Sequence, residues 1–199
     1  MSNLVTKRTP RQRLPVGQRR ELVLEAAGRL FGERGYERTR LDDIAAAAGV
    51  TKPIVYRHFD SKRDLYLALL DRHRDDLAGF VASMPTEGTP EERLRGVLET
   101  WLDYVEARAY AWKMLFRDTG GGPEIAARRR EVHARARAVL VDLIRSLAAA
   151  PVPRRELEPL AELMSMGMAA LVLWWVEEAA VSRAAVLDAL STAWVRLLA

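Results

Sequence analysis

Apolar residues recur along this chain at spacings of three and four and almost nowhere alternate with polar ones. That period gathers them on one side of a helix, whereas a half-buried strand needs a period of two. No extended Val/Ile/Thr alternation interrupts the pattern. The chain is therefore expected to be all-α, with Gly and Pro dividing it into about nine helices.

The first helix is expected over Gln18 to Arg34, burying Val23, Ala27, Leu30 and Phe31 and stopped by Gly35. A second starts at Thr39, which with Asp42 forms a capping-box-like pair, and ends at Gly49. Leu41, Ile44, Ala45 and Ala48 face inward on it. The third is short, Thr51 to Phe59, with Thr51 at the N-cap. The fourth starts after Ser61, with Asp64 three residues on, and reaches Ala82. Thr89-Pro90-Glu91-Glu92 opens a fifth, over 90–107, with Pro at the first position and acids in the first turn. A sixth covers 109–118, and Gly120 to Pro123 breaks the chain. The seventh runs to Ala149, the eighth over 155–179 after Pro151 and Pro153, and the ninth over 182–198, capped by Ser182. This divides the chain into a basic arm (1–17), a three-helix unit (18–65) and a larger helical domain (66–199).

Charge is distributed unevenly. The first twenty residues hold Lys7, Arg8, Arg11, Arg13, Arg19 and Arg20 and no acid, while the remainder has 25 basic against 27 acidic residues. Basic arms often meet nucleic acid, although a solvated tail would read the same way. The absence of cysteine excludes disulfides and thiolate metal sites and fits a reducing cytoplasm. No apolar stretch follows the basic N-terminus as a secretory signal would require. The longest apolar run, Leu163 to Val176, is interrupted by Ser165 and Gly167 and falls short of the ~20 residues that span a bilayer. No membrane partner is expected.

Helix two, the turn at Gly49-Val50 and helix three form a helix-turn-helix pattern. Ala45, Ala48 and Gly49 are small where two helices must cross closely, and Gly49 permits the positive φ of a tight turn. With Val50, Val55 and Phe59 as anchors, helix three turns Lys52, Pro53, Ile54, Tyr56, Arg57 and His58 outward. That basic and aromatic set suits a major groove and its phosphates.

The stretch Ala26-Ala27, Leu30-Phe31, Gly35-Tyr36, Thr39, Ile44-Ala45, Ala48-Gly49-Val50, Lys52, Tyr56, Phe59 and Lys62 resembles the signature of the TetR family of transcriptional regulators. It covers residues 20–66. The resemblance implies double-stranded operator DNA as partner, a homodimer joined by the last two helices, and a small ligand among helices four to eight. It implies Lys52 at the start of the recognition helix, Thr51 at the N-cap near phosphate, Tyr56 and His58 on phosphates, and Lys62 on another phosphate. Arg40 replaces a common Thr and can still reach phosphate. Pro53 stands where Gly is commoner. Ile54 stands where a hydroxyl residue is common, so apolar contact, such as with a thymine methyl, replaces a polar one. Arg57 can reach a guanine or a phosphate.

Helix eight is apolar on two sides. Leu160, Leu163, Met164, Gly167, Leu171, Trp174, Trp175 and Glu178 trace one face, and Met166, Ala170, Leu173 and Val176 the other. A helix greasy on two faces needs two partners: its own core and, as expected here, the same helix of a second subunit, with a monomer of deep core as the alternative. Between residues 84 and 175, Trp101, Tyr104, Tyr110, Trp112, Met114, Phe116, Met164, Met168 and Trp175 are candidates to line an apolar cavity. Trp101, Tyr104, Trp112, Phe116, Met164, Met168 and Trp175 are the chosen ligand set, for a small and mostly apolar inducer. The expected function is a ligand-released regulator, by default a repressor. An architectural DNA-binding protein without ligand control is the first alternative and a helical enzyme a remote second. Catalysis lacks support: there is no Cys nucleophile and no Gly-x-Ser-x-Gly, and His58, His73 and His133 have no metal-site spacing. No catalytic residue, metal or cofactor is expected.

Overall fold

A computed structural model describes residues 16–178 and 180–198. The basic arm through residue 15 lies outside the described residues, and with it the expectation that the arm meets DNA. Among the described residues there are nine helices and no strand. They are α1 (Val16–Arg38), α2 (Leu41–Ala47), α3 (Lys52–Tyr56), α4 (Lys62–Ala82), α5 (Pro90–Ala107), α6 (Ala109–Phe116), α7 (Gly122–Leu147), α8 (Arg154–Trp175) and α9 (Arg183–Leu198).

Two apolar cores hold these helices. The first joins Val23, Ala27 and Phe31 of α1 to Ile44, Val55 and Phe59, and then to Leu65, Tyr66, Leu69 and Leu70 of α4. It continues into Met114 of α6 and Ile125 and Val132 of α7. The second gathers α5, the end of α7, α8 and α9 around Leu98, Trp101, Ile144, Val172 and Trp194. Helix α4 runs unbroken from the first core toward the second, through the boundary expected at residue 65.

Several helix ends follow from local chemistry. The backbone leaves helical geometry at Gly35 (φ 76°), a conformation costly for any residue with a Cβ. Ser61 Oγ accepts from Asp64 N at 3.0 Å, and Asp64 accepts from Asp60 N at 3.1 Å. Thr89 and Glu92 complete a reciprocal capping box, and Ser182 Oγ accepts from Ala185 N.

Thr39 corrects the expectation of a cap. It is buried, and its hydroxyl reaches the carbonyls of Gly35 (2.8 Å) and Leu30 (3.2 Å). Helix α2 starts two residues later, behind Arg40, with no side-chain cap. The hydroxyl thus holds the end of α1 together across the break at Gly35. Helices α3, α6 and α8 end earlier than expected, at Tyr56, Phe116 and Trp175.

The two-faced character of α8 holds, but the division differs. Ala161, Ala169 and Val172 are buried, whereas Leu163, Met166, Gly167, Ala170 and Trp174 lie on the exposed side. Leu163 and Trp174 therefore leave the face that was expected to hold them with Leu160 and Met164. By length and composition alone α8 could cross a membrane. Here it packs along α7.

Helix α6 crosses α1 at close range. A Cβ on Gly28 would lie 2.4 Å from the Tyr110 ring, and one on Gly32 3.0 Å from the Tyr110 Cα. The two glycines let α6 seat directly on α1. Tyr110 is thus committed to this crossing and Met114 to the first core, and neither lines the cavity described below.

Candidate nucleic-acid interface and ligand cavity

The turn between α2 and α3 depends on Gly49, whose φ is 66°. Val50 N then bonds Ala45 O at 3.0 Å. Val55 and Phe59 are buried and fasten α3 to α1 and α4. Phe59 also receives the guanidinium of Arg20, 5.2 Å from its ring centre. With these anchors sunk, Arg40, Thr51, Lys52, Pro53, Tyr56 and Arg57 are exposed, and Ile54 and His58 are half-buried. Thr51 occupies the N-cap position, but its hydroxyl makes no capping bond and is free for another partner. The α3 surface thus offers one ammonium, one guanidinium and one phenol around a short apolar ridge. Lys52 pairs with Asp42 at 2.9 Å. The pair is exposed, so little is lost when the ammonium exchanges partners.

Lys62 is placed differently from the expectation. Its ammonium donates to the carbonyls of Tyr36 (2.9 Å) and Thr39 (3.1 Å) and stands 4.3 Å over the Tyr36 ring. In this arrangement it binds the end of α1 to the start of α4 rather than offering its charge outward.

Tyr36 is also gripped from its other side. Its N–H donates to Asp118 Oδ2 at 2.8 Å, and the same oxygen accepts the Tyr66 hydroxyl at 2.9 Å. Asp118 Oδ1 accepts from Gly120 N, and the buried Arg129 donates to Gly120 O at 2.7 Å. Burial, followed by the nearby Asp118 charge, holds the Tyr66 hydroxyl well above the usual phenol range, so it remains a donor. One carboxylate in the α6–α7 loop therefore fixes both the α1 break and α4. Sequence reading did not find Asp118, because nothing local distinguishes it from any acid preceding a glycine turn. Two further ties secure α4: Arg72 with Glu21 (2.9 Å) and Glu25 (3.1 Å) of α1, and Asp76 with Arg108 (3.2 Å).

Farther along α4 lies a cavity of about 80 Å³, between α4, α5, α6, α7, α8 and α9. Five of the seven expected residues line it: Trp101, Tyr104, Trp112, Phe116 and Met168. Met164 and Trp175 do not. They pack in the second core, and the Trp175 indole donates to Val181 O at 3.0 Å. The wall is aromatic: Trp101 meets Trp112 edge-on, Trp112 stacks on Phe116, and Phe116 stacks on His133. His133 Nε2 donates to Leu115 O at 3.2 Å. His73, which sequence reading considered only as a metal ligand, is buried in the wall and meets the Tyr104 hydroxyl at 3.0 Å through Nδ1. Burial, aided by the charges of Arg108 and Arg72, pushes its imidazole down to about 3. It is neutral at pH 7. Among the described residues no cluster of three His or acidic side chains could hold a metal.

The family model for bacterial regulatory proteins of the tetR family matches residues 23–69, the segment that carries this outward-facing helix. A TetR-like transcriptional regulator from Rhodococcus has the same fold over 94% of this chain and 98% of its own, with a TM-score of 0.75 and 25% identity. Both findings indicate the TetR family of transcriptional regulators.

Curated helix-turn-helix transcriptional regulators match over part of the chain. The transcriptional activator FasR of Mycolicibacterium smegmatis is 40% identical over 117 residues, 58% of this chain and 53% of FasR. The transcriptional repressor KstR2 of Rhodococcus jostii is 46% identical over 72 residues, 36% of this chain and 35% of KstR2. The chain thus matches about half of FasR's length and about a third of KstR2's. Beyond the matched part, the likeness to the family is one of architecture.

Proposed function

We propose that this protein is a ligand-responsive regulator that binds a palindromic operator as a dimer. The observation that carries the reading is the division of labour on α3. Val55 and Phe59 are buried, while Lys52, Pro53, Tyr56 and Arg57 face outward on a helix of major-groove size. Arg57 and Lys52 can reach guanine edges or phosphates, Tyr56 and Thr51 phosphates, and Ile54 a thymine methyl. Arg40 adds a phosphate contact beside them. Lys62 acts by holding α1 and α4 in place behind this surface.

A second copy would bind along the exposed side of α8 and α9. Leu163, 65% exposed, stands there with Met166 and Trp174, and Val195 and Leu197 are exposed on α9. Apolar surface of this extent is commonly covered by a partner. Two-fold pairing would set two recognition helices about one turn of DNA apart, ~34–36 Å.

The inducer would occupy the aromatic cavity. Its volume of about 80 Å³ is well below the ~150 Å³ of a dry cavity that admits benzene. A ligand must therefore widen it, and the unbranched Met84 and Met168 in its wall can yield. Widening displaces α4, whose far end carries the Lys62 and Asp118 ties. A ligand preferring the widened form lowers operator affinity only by that preference. FasR and KstR2 carry opposite regulatory signs in their names. The sign here follows from where the operator lies relative to its promoter.

Footprinting on DNA upstream of the gene tests the reading. One protected palindrome, lost with Trp174→Glu as sedimentation shows monomers, is the expected result. Uniform protection without sequence preference, with a steep salt dependence, would identify an architectural DNA-binding protein instead.

A further inference from the structure

Three nitrogen atoms of the cavity wall are buried without a hydrogen-bond partner: the indole nitrogens of Trp112 and Trp194 and Nε2 of His73. His73 and Trp194 are each only 1% exposed, so bulk solvent does not reach them. Buried polar groups are nearly always paired, and an unpaired one costs free energy that its site must recover.

The tautomer of His73 follows from its neighbour. Tyr104 is protonated, its hydroxyl held above the usual phenol range by burial. If that hydroxyl donates to Nδ1, one orphan N–H remains at Nε2. If Nδ1–H donated instead, the phenol proton would lack an acceptor as well. The first assignment leaves fewer groups unserved, so Nε2 carries the proton. All three unpartnered atoms are then donors.

The wall contains no Asp, Glu, Lys or Arg. A cation would enter without a counter-charge. A carboxylate would lose its hydration to neutral donors, with no guanidinium or ammonium lining the space. Resting on the reading of this cavity as the inducer site, we infer that the ligand is an uncharged apolar molecule bearing a carbonyl oxygen, of the ester, thioester, ketone or amide kind. The oxygen accepts from the indole and imidazole N–H groups while the hydrocarbon part lies on the aromatic wall. His73 and Trp112 thus select for an acceptor, and the absence of charge selects against acids and amines.

Three probes of similar size test this: methyl hexanoate, heptane and hexanoate at pH 7. Binding is followed by tryptophan fluorescence and thermal shift, in the wild type and in Trp112→Phe and Trp194→Phe, which keep the ring and remove the N–H. The ester should bind about tenfold more tightly than heptane and than hexanoate. That preference should shrink severalfold in at least one variant, while heptane affinity stays level. The bound ester's carbonyl stretch should move to lower frequency in the wild type and less in that variant. Equal affinity for ester and heptane, or tighter binding of hexanoate, would overturn the inference. A preference unchanged in both variants would overturn the assignment of the donors. Operator affinity measured with the same ester separates the two readings. Preferential ester binding that leaves operator affinity unchanged upholds the carbonyl inference and refutes the inducer role of the cavity.

Discussion

The α3 surface and the aromatic cavity are both built from aromatic and apolar residues, yet they obey different rules. The recognition surface is assembled locally. Within residues 39–62 a glycine turn, two apolar anchors and a short helix determine which side chains remain outside. The cavity draws on six helices separated by more than a hundred residues, and its shape depends on how α4, α7 and α8 sit against one another. One is a rigid projection fixed by short-range geometry. The other is a gap left where large side chains meet imperfectly.

Identical deletions should therefore cost different amounts. Phe59→Ala removes a ring from a filled core and should lower unfolding free energy by about 3–5 kcal/mol. Phe116→Ala, at the wall of an existing space, should cost about 2 kcal/mol. Urea titration of both variants measures the difference. Equal losses would mean that the cavity is ordinary core and that the contrast between the regions is false.

Asp118 ties the end of α1 to α4, the helix that reaches from the helix-turn-helix to the cavity wall, so its loss should affect both regions. Asp118→Ala leaves the Tyr36 N–H and the Tyr66 hydroxyl without their acceptor and should cost about 1–3 kcal/mol. It should also reduce the effect of a bound ligand on operator affinity. Full ligand response in this variant would show that the coupling runs elsewhere.

The cavity alone should show a pH signature. A buried imidazole held at about 3 takes up fewer protons than an unfolded one at 6.5 throughout that window. Its contribution to stability is constant above pH 6.5 and is lost as pH falls toward 3, by about 2 kcal/mol at pH 5. The unfolding free energy of His73→Phe should fall less steeply over this range. An unchanged slope would mean that His73 is accessible to solvent. The smallest effect belongs to the helix-turn-helix: Thr39→Val should cost about 1 kcal/mol, the value of the bond to Gly35 O, seen as a modest shift in urea midpoint.

The same contrast explains what the sequence could reveal. The outward placement of Lys52, Tyr56 and Arg57 was legible because Gly49, Val55 and Phe59 lie within ten residues and leave little choice of geometry. The helix start at Thr89-Pro90-Glu91-Glu92 was legible for the same reason. Thr39 was misread because its partners belong to the preceding helix. Met164 and Trp175 were assigned to the cavity by residue type, but the rotation of α8 against α7 turned them elsewhere. Leu163 and Trp174 were misallotted by that same rotation. Lys62 and Asp118 acquire their roles only through contacts across 26 and 82 residues, to Tyr36 in both cases. Local patterning carries no trace of such pairings.

The central claim is that duplex recognition resides in the outward side chains of α3. Fluorescence anisotropy with a duplex carrying the footprinted site tests it most directly, comparing wild type with Lys52→Ala/Tyr56→Ala/Arg57→Ala at one salt concentration. A loss of affinity of about a hundredfold or more, with unaltered thermal unfolding, is predicted. Undiminished affinity in the folded triple variant would contradict the account.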